Sequence, residues 1–460
     1  MNVPKTPNPE WGLSSRQSVL VPAITVGFGT AVAMWLLGYL THIPAIQLSA
    51  PITGALLLAV LASGGLVAGR LSSPGRAPIV GALTGAVASL VNLLIVGAVV
   101  APDDQAQAAR GGWALIALGT VAFGAILGAL AAPVGARWRR PNSAESELEG
   151  WLARFGLVTA ASALPVLLSG GLVTSTNAGL AVPDWPTSFS ANMFLFPLSK
   201  MTGGIYYEHA HRLFGSLVGL TTLVLLVLVL TCDSRRWVKG MAGIAFLGVC
   251  AQGVLGGVRV TAATGGDPVA PPGSDHAGSL LLAMIHGVTA QFLFALLCVL
   301  AAVLSPAWRR VETRPAATLD SRLRLLAWLF VAAAVVQLLL GSVTRHFQHT
   351  HAMFTHVGFA LVVLNFAVLT GFRAIGHHRE NRILRRLGHA TLHTVILQLA
   401  LGVVTLIGVL PYESGKADPA WVVLVATAHQ GFGALLLALA SLLVAWSARW
   451  NGTRPIPAAG

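Results

Sequence analysis

Twelve apolar blocks, each near the 20 residues a helix needs to cross the hydrocarbon of a bilayer, occupy most of this 460-residue chain. They run over 19–40, 50–68, 79–100, 113–132, 155–173, 213–230, 241–258, 279–304, 325–343, 354–372, 392–410 and 421–446. In lipid every backbone N–H and C=O must be satisfied within the segment, so blocks of this kind fold as helices. Composition agrees: 10% of residues are charged, against about a quarter in soluble domains. The expected fold is an all-α integral membrane protein with about twelve transmembrane helices.

A net charge of +13 could suggest nucleic acid, but its distribution excludes that class. Arg137, Arg139, Arg140 and Arg154 share one connection; Arg235, Arg236 and Lys239 lie two connections on. Arg309, Arg310, Arg314, Arg322 and Arg324 follow, then Arg373, Arg379, Arg382, Arg385 and Arg386. The connections between these groups are nearly free of Lys and Arg, which is the positive-inside pattern. It puts both termini in the cytoplasm of a bacterial inner membrane. The loops with Asp103 and Asp104, and with Asp267 and Asp275, then face outward. The polar, Pro-rich start reads as no removable signal peptide. Cys232, Cys250 and Cys298 fall within spans or at a cytoplasmic end, which argues against a disulfide.

The Arg-rich stretch 134–149 separates four helices from eight. Residues 1–140 form a four-helix extension to which the residues assign no role. Its glycines at 64, 65, 69, 81 and 85 suit close helix packing in lipid. The eight remaining helices divide into bundles over 151–305 and 322–450, and their sequences repeat. Helix nine carries Gln337 and Gly341, helix eleven Gln398 and Gly402, helix seven Gln252 and Gly256, and helix five ends on Gly170 to Thr174. Each leads through an outer loop to a helix with a histidine near its outward end: His211, His286, His356 and His429. The two histidines of a half are 75 and 73 residues apart. The repeat implies two four-helix bundles related by an approximate two-fold axis along the membrane normal.

A lone histidine within a span can be satisfied by one neighbouring carbonyl, but four at repeated positions mark function. Two imidazoles from facing helices suit a bis-histidine haem, whereas zinc would ask for three or four ligands. Glycines 256, 257, 341 and 402 would give a flat macrocycle room, although plain helix packing explains them equally well. The halves are unequal. Thr174 and His211 are 37 residues apart, Thr344 and His356 only 12. Aligning His211 with His356 sets Glu208 opposite Met353 and Arg212 opposite Val357.

Glu208 stands three residues before His211 and so shares its face. The competing reading is a Glu208–Arg212 surface ion pair. His209 lies on another face, exposed or as a loop partner. His346, His349 and His351 crowd the short outer loop of the second half, and His377, His378, His389 and His393 read as cytoplasmic surface residues. Among the outer-side basic residues, Lys200, Arg212, Arg259 and Arg345, we expect Arg259 and Arg345 to partner haem propionates. Their alternative is plain snorkelling.

The outer loop Asn177 to Pro186 with its Pro183-Asp184-Trp185-Pro186, then Met193 to Pro197, then Glu208-His209-Ala210-His211-Arg212, resembles the haem A synthases. So do Ile285-His286 and Ala428-His429-Gln430. The resemblance covers about 151–450 and omits residues 1–140. It implies oxidation of the C8 methyl of haem O to a formyl group, through stepwise oxygen-dependent hydroxylation to a gem-diol that loses water. The product, haem A, serves terminal oxidase assembly, and haem O synthase becomes a partner. It implies that His356 and His429 hold haem b as cofactor, and that His211 and His286 address the substrate haem. Glu208 then matches the family's catalytic glutamate. One departure is clear: some members carry a cysteine pair in the first outer loop, whereas Val182 stands where one cysteine often appears and the loop holds none. Two rivals remain. A non-enzymatic diheme b-type electron-transfer protein predicts equivalent halves, and a repeat-built transporter predicts midplane polar sites. Electron donor and oligomeric state are not legible.

Overall fold

The computed structural model describes residues 17–43, 46–100, 112–138, 148–265, 277–310, 320–410 and 419–451. Arg139, Arg140, Arg314 and the four outer-loop aspartates at 103, 104, 267 and 275 lie outside these residues, as do both chain ends. Twelve helices in the described residues are long and apolar enough to cross a membrane. They are α1 (Gln17–His42), α2 (Ala50–Arg70), α3 (Ala77–Val100), α4 (Trp113–Ala136), α5 (Leu148–Ser175) and α6 (Gly203–Cys232). The remainder are α7 (Arg236–Thr264), α8 (Ala277–Leu304), α9 (Ser321–Phe347), α10 (Thr350–His377), α11 (Arg382–Val409) and α12 (Ala420–Asn451). The chain is an all-α, multi-pass membrane protein. Most helices overrun their apolar blocks at one or both ends, because polar turns continue the helix into the interfacial layers.

α5 to α8 close a ring in which each helix packs on the next and α8 returns to α5. α9 to α12 close a second ring of the same kind. The rings meet through α8 and α5 against α12, and α8 against α9. Gly171 of α5 and Gly431 of α12 mark a close approach: a Cβ on Gly171 would stand 3.0 Å from Thr427 Cγ2 and 3.2 Å from Gln430 Oε1, and one on Gly431 2.9 Å from Leu168 Cδ2.

α1 to α4 form a third group. α3 and α4 cross where Gly81 and Gly85 meet Gly128 and Gly124 backbone to backbone, the small-residue packing expected in lipid. Asn92, the polar residue inside α3, accepts a 3.0 Å hydrogen bond from Trp35 Nε1 of α1. α1 is the helix that docks this group onto α5. Phe28 meets Phe155 edge-on with centroids 5.5 Å apart, and both are buried. At the opposite end of α1, Tyr39 stacks on Tyr206 of α6 at 5.2 Å, and Tyr206 Oη donates to the Tyr39 carbonyl at 2.5 Å.

The end of the molecule carrying the arginine groups is knitted by two carboxylates. Asp233 takes Arg235 and Arg309, each at 2.7 Å. Asp320 caps α9 and takes Arg373 at 2.7 Å and His378 at 3.0 Å. His378 is therefore a partly buried hydrogen-bond partner of Asp320 rather than a free surface residue, while His389 and His393 are exposed as expected. Burial would raise both aspartates, but their arginine partners and backbone donors hold them below the ordinary carboxylate range.

Candidate functional site

α6, α8, α10 and α12 run parallel, and each carries its histidine within its first ten residues. All four imidazoles therefore lie at one end, roughly one to three turns inside the bundle. They meet in two pairs. His211 and His286 have ring centroids 6.1 Å apart with planes at 83°. For His356 and His429 the values are 6.2 Å and 83°. Unrelated packing would not give two such matched pairs; a duplicated unit does.

The repeated Gln and Gly positions explain how each ring is set. His356 Nδ1 faces the Gln337 carbonyl at 3.2 Å, and His429 Nδ1 faces that of Gln398 at 3.2 Å. His211 Nδ1 faces the Val166 carbonyl at 3.0 Å and Ser169 Oγ at 3.1 Å. His286 lies against the backbone of Gln252 without completing a hydrogen bond of full geometry. One turn further along each of these helices is a glycine under the ring. A Cβ at Gly170, Gly256, Gly341 or Gly402 would stand 2.9, 3.4, 2.8 or 2.9 Å from the Cε1 of its histidine. A carbonyl can only accept, so the Nδ1 it faces carries the proton and Nε2 is left as the basic atom. That is how metal-ligating histidines are usually oriented. Two metal–imidazole bonds of about 2 Å each, with a ring at either end, span about the separation found in both pairs. The residues thus fit an iron held between imidazoles.

Among the described residues, only the first pair has a buried carboxylate beside it. Glu208 is buried and takes Arg212 Nε on Oε1 at 3.1 Å; the i, i+4 pair exists, but inside rather than on the surface. Arg212 also donates to the carbonyls of Val182 at 2.8 Å, Asp184 at 2.6 Å and Thr187 at 3.1 Å. It therefore ties the glutamate's helix to the long loop, 176–202. Asp184 organises that loop, accepting from Thr187 Oγ1 at 2.6 Å, Phe189 N at 2.7 Å and Ser190 N at 2.8 Å. Burial would raise its pKa, but these donors bring it below the ordinary carboxylate range. His209 is fully buried as a loop partner, with Nδ1 3.1 Å from Ser188 Oγ and its ring against Phe196. Trp185 follows Asp184 and precedes a cis peptide to Pro186; its ring covers Gly257.

The two proposed propionate arginines are placed differently. Arg259, on α7 one turn from Gly256, donates to the Gly179 carbonyl at 2.9 Å and acts electrostatically on Glu208, His211 and His286. Arg345, at the end of α9, donates to the Thr174 carbonyl of α5 across the boundary between the rings. Of the second-half loop histidines, His349 stacks on Phe347 and is exposed, as is His351; His346 is partly buried. Sequence reading missed Val166, Ser169 and Gly170 as the supports of His211, because no glutamine marks that helix. It also missed Arg212 as a clasp; its run of loop carbonyl partners has no sequence signature.

Residues 153–353 match the family model COX15-CtaA, described as cytochrome oxidase assembly protein. The match takes in fewer than half of the chain's 460 residues. A heme A synthase of Erythrobacter litoralis (strain HTCC2594) is 26% identical over 238 residues, which is 44% of this chain and 65% of the relative. The chain thus spans just under two thirds of the length of the curated relative it matches. The family match takes in Glu208, His211 and His286 and stops three residues before His356. The second pair therefore rests on its geometric identity with the first. α1 to α4 lie wholly outside the family match.

Proposed function

We propose that the chain is a haem A synthase of a bacterial inner membrane, with both termini in the cytoplasm and both histidine pairs toward the outer face. It takes haem O, supplied by a haem O synthase, and returns haem A for terminal oxidase assembly. The single observation that carries this reading is the inequality, among the described residues, of two otherwise matched imidazole pairs: one has a buried glutamate and a clasped loop, the other has neither. A diheme electron-transfer protein has no use for that inequality.

His211 and His286 address the substrate haem, and His356 and His429 hold haem b, each through Nε2; for His211, His356 and His429 the carbonyl facing Nδ1 makes Nε2 the basic atom. When bound, haem b supplies one-electron redox chemistry. Glu208 places negative charge three residues from His211, on the face toward the substrate. Arg212 is its only hydrogen-bond partner among the described residues and engages one oxygen, so the other is available to the substrate methyl or to a proton. Arg259 adds positive charge at the rim, suited to a propionate, and the loop excludes water from above. Arg345 serves the second site in the same way while joining the rings.

Glu208→Gln keeps the shape and a contact to Arg212 but removes the charge. We expect both haem sites to fill and haem A formation to fall by two orders of magnitude or more, the range for loss of an acid–base group. Unchanged haem A output in membranes supplied with haem O would remove Glu208 from the reaction. Pigment extraction decides between the two readings: haem O or A beside haem b supports the synthase, and haem b alone supports the electron-transfer protein.

A further inference from the structure

At the end of the molecule opposite the histidines, a groove opens between α1, α2 and α5. It encloses about 320 Å³ and is lined by residues of all three helices, with no aspartate or glutamate among them. Three hydroxyls face it, but each is already used by its own helix. Thr25 donates to the Val21 carbonyl at 2.8 Å, Thr30 to that of Val26 at 2.8 Å and Ser63 to that of Val60 at 2.7 Å. The walls therefore offer methyls and hydrocarbon.

One polar group in the groove is left over. Arg154 Nη1 is buried and has no hydrogen-bond partner. The guanidinium lies 4.4 Å from the centre of the Trp151 ring; this steadies the cation but takes none of its N–H groups. A guanidinium with an unused donor in a helix boundary within the membrane is costly unless an anion meets it. The apolar part of the groove runs from Thr25 to Ala33 along α1, about 12 Å at 1.5 Å per residue. That approaches the depth of one leaflet's hydrocarbon, about half of 30 Å. A cation at the mouth and a leaflet-deep apolar channel behind it match a molecule with an anionic head and an acyl tail. The mouth also lies at the end where α2 finishes on Arg70 and α4 is followed by Arg137, a basic face of the kind that gathers anionic lipid.

We infer that this groove is a binding site for one anionic glycerophospholipid, its phosphate on Arg154 and one acyl chain along α1 and α2. The site straddles the seam between the leading helices and the first ring, so an occupant contacts both and holds α1 and α2 against α5.

The test uses the full chain purified in detergent, offered phosphatidylglycerol or phosphatidylcholine, with retained lipid counted by native mass spectrometry. The wild type should retain one phosphatidylglycerol in preference to phosphatidylcholine. Arg154→Gln should weaken that retention about tenfold or more, the worth of a charge-assisted hydrogen bond, and Arg154→Lys should restore part of it. Val67→Trp fills the groove from its exposed side without touching a charge, and should abolish retention even if Arg154→Gln folds poorly. Equal retention of the two lipids, full retention by both groove variants, or displacement by an uncharged quinone would overturn the inference.

Discussion

Each of the four imidazoles rests where a neighbouring helix has no side chain, so the pockets can be closed one at a time. Gly341→Leu drives a branched side chain into the His356 ring, which stands 2.8 Å from where even a Cβ would be. We expect haem b to be lost from the purified chain, with His211 and His286 still able to take the substrate haem. Gly358→Ala on the adjacent helix, where nothing lies within 4 Å of an added Cβ, should leave pigment content unchanged; pyridine haemochrome spectra measure both. The histidines themselves could be read from the sequence because intramembrane polar residues are rare and these repeat. The glycines could not be sorted so easily. Gly256, Gly341 and Gly402 face histidines, but their neighbour Gly257 faces Trp185, and no spacing rule separates a ring notch from a packing contact. The spacing sets Glu208 on the face of His211, yet its partnership with Arg212 is buried, where an exposed pair was the alternative.

Helices of this length and apolarity are fixed by the bilayer, which is why all twelve spans were legible, although α6 and α11 begin ten residues before their apolar blocks, at Gly203 and Arg382. The loop 176–202 was legible only in length. Its order comes from donors and acceptors far apart in sequence: Arg212 on three carbonyls, Arg259 on Gly179, and Thr264 Oγ1 on the Pro183 carbonyl at 2.7 Å. Asp184 holds the loop's inner turn. Its carboxyl sits below the ordinary range in the folded chain, so its contribution is complete above the unfolded value of about 3.9. That contribution drains away as pH falls through the lower folded value. Protease resistance of this loop should therefore survive at neutral pH and down through mildly acidic conditions, and fail only in stronger acid. Asp184→Asn, which presents an amide where three donors converge, should lose about 1–3 kcal/mol. The loop would then be cleaved at neutral pH in limited proteolysis. Resistance equal to wild type would mean that Arg212 alone suffices.

At the scale of the whole molecule, three groups of four helices share two seams. The seam between the rings is crossed by Arg345 and by the close approach at Gly171. The seam with the leading helices is crossed by Phe28 on Phe155 and by Tyr39 on Tyr206. Sequence alone separated the leading group at its arginine-rich connection but gave no hint of where it docks, since aromatic partners on different helices leave no periodic trace. Tyr206→Phe keeps the stacked ring and removes one hydrogen bond across the seam, worth about 1 kcal/mol. The unfolding midpoint should fall by roughly 2–4 °C. The same substitution in a chain lacking residues 1–140 should have no effect; an equal drop there would mean that Tyr206 acts within α6 alone. The clasped loop has a last consequence. On the function proposed above, Arg212, Asp184 and Trp185 close the aqueous side above the first imidazole pair among the described residues, and a flat porphyrin comes and goes sideways, between helices and among lipid tails. Traffic through such a door is counted per area of membrane. Doubling the lipid around a fixed number of molecules should slow the delivery of pigment, while doubling the volume of buffer should change nothing.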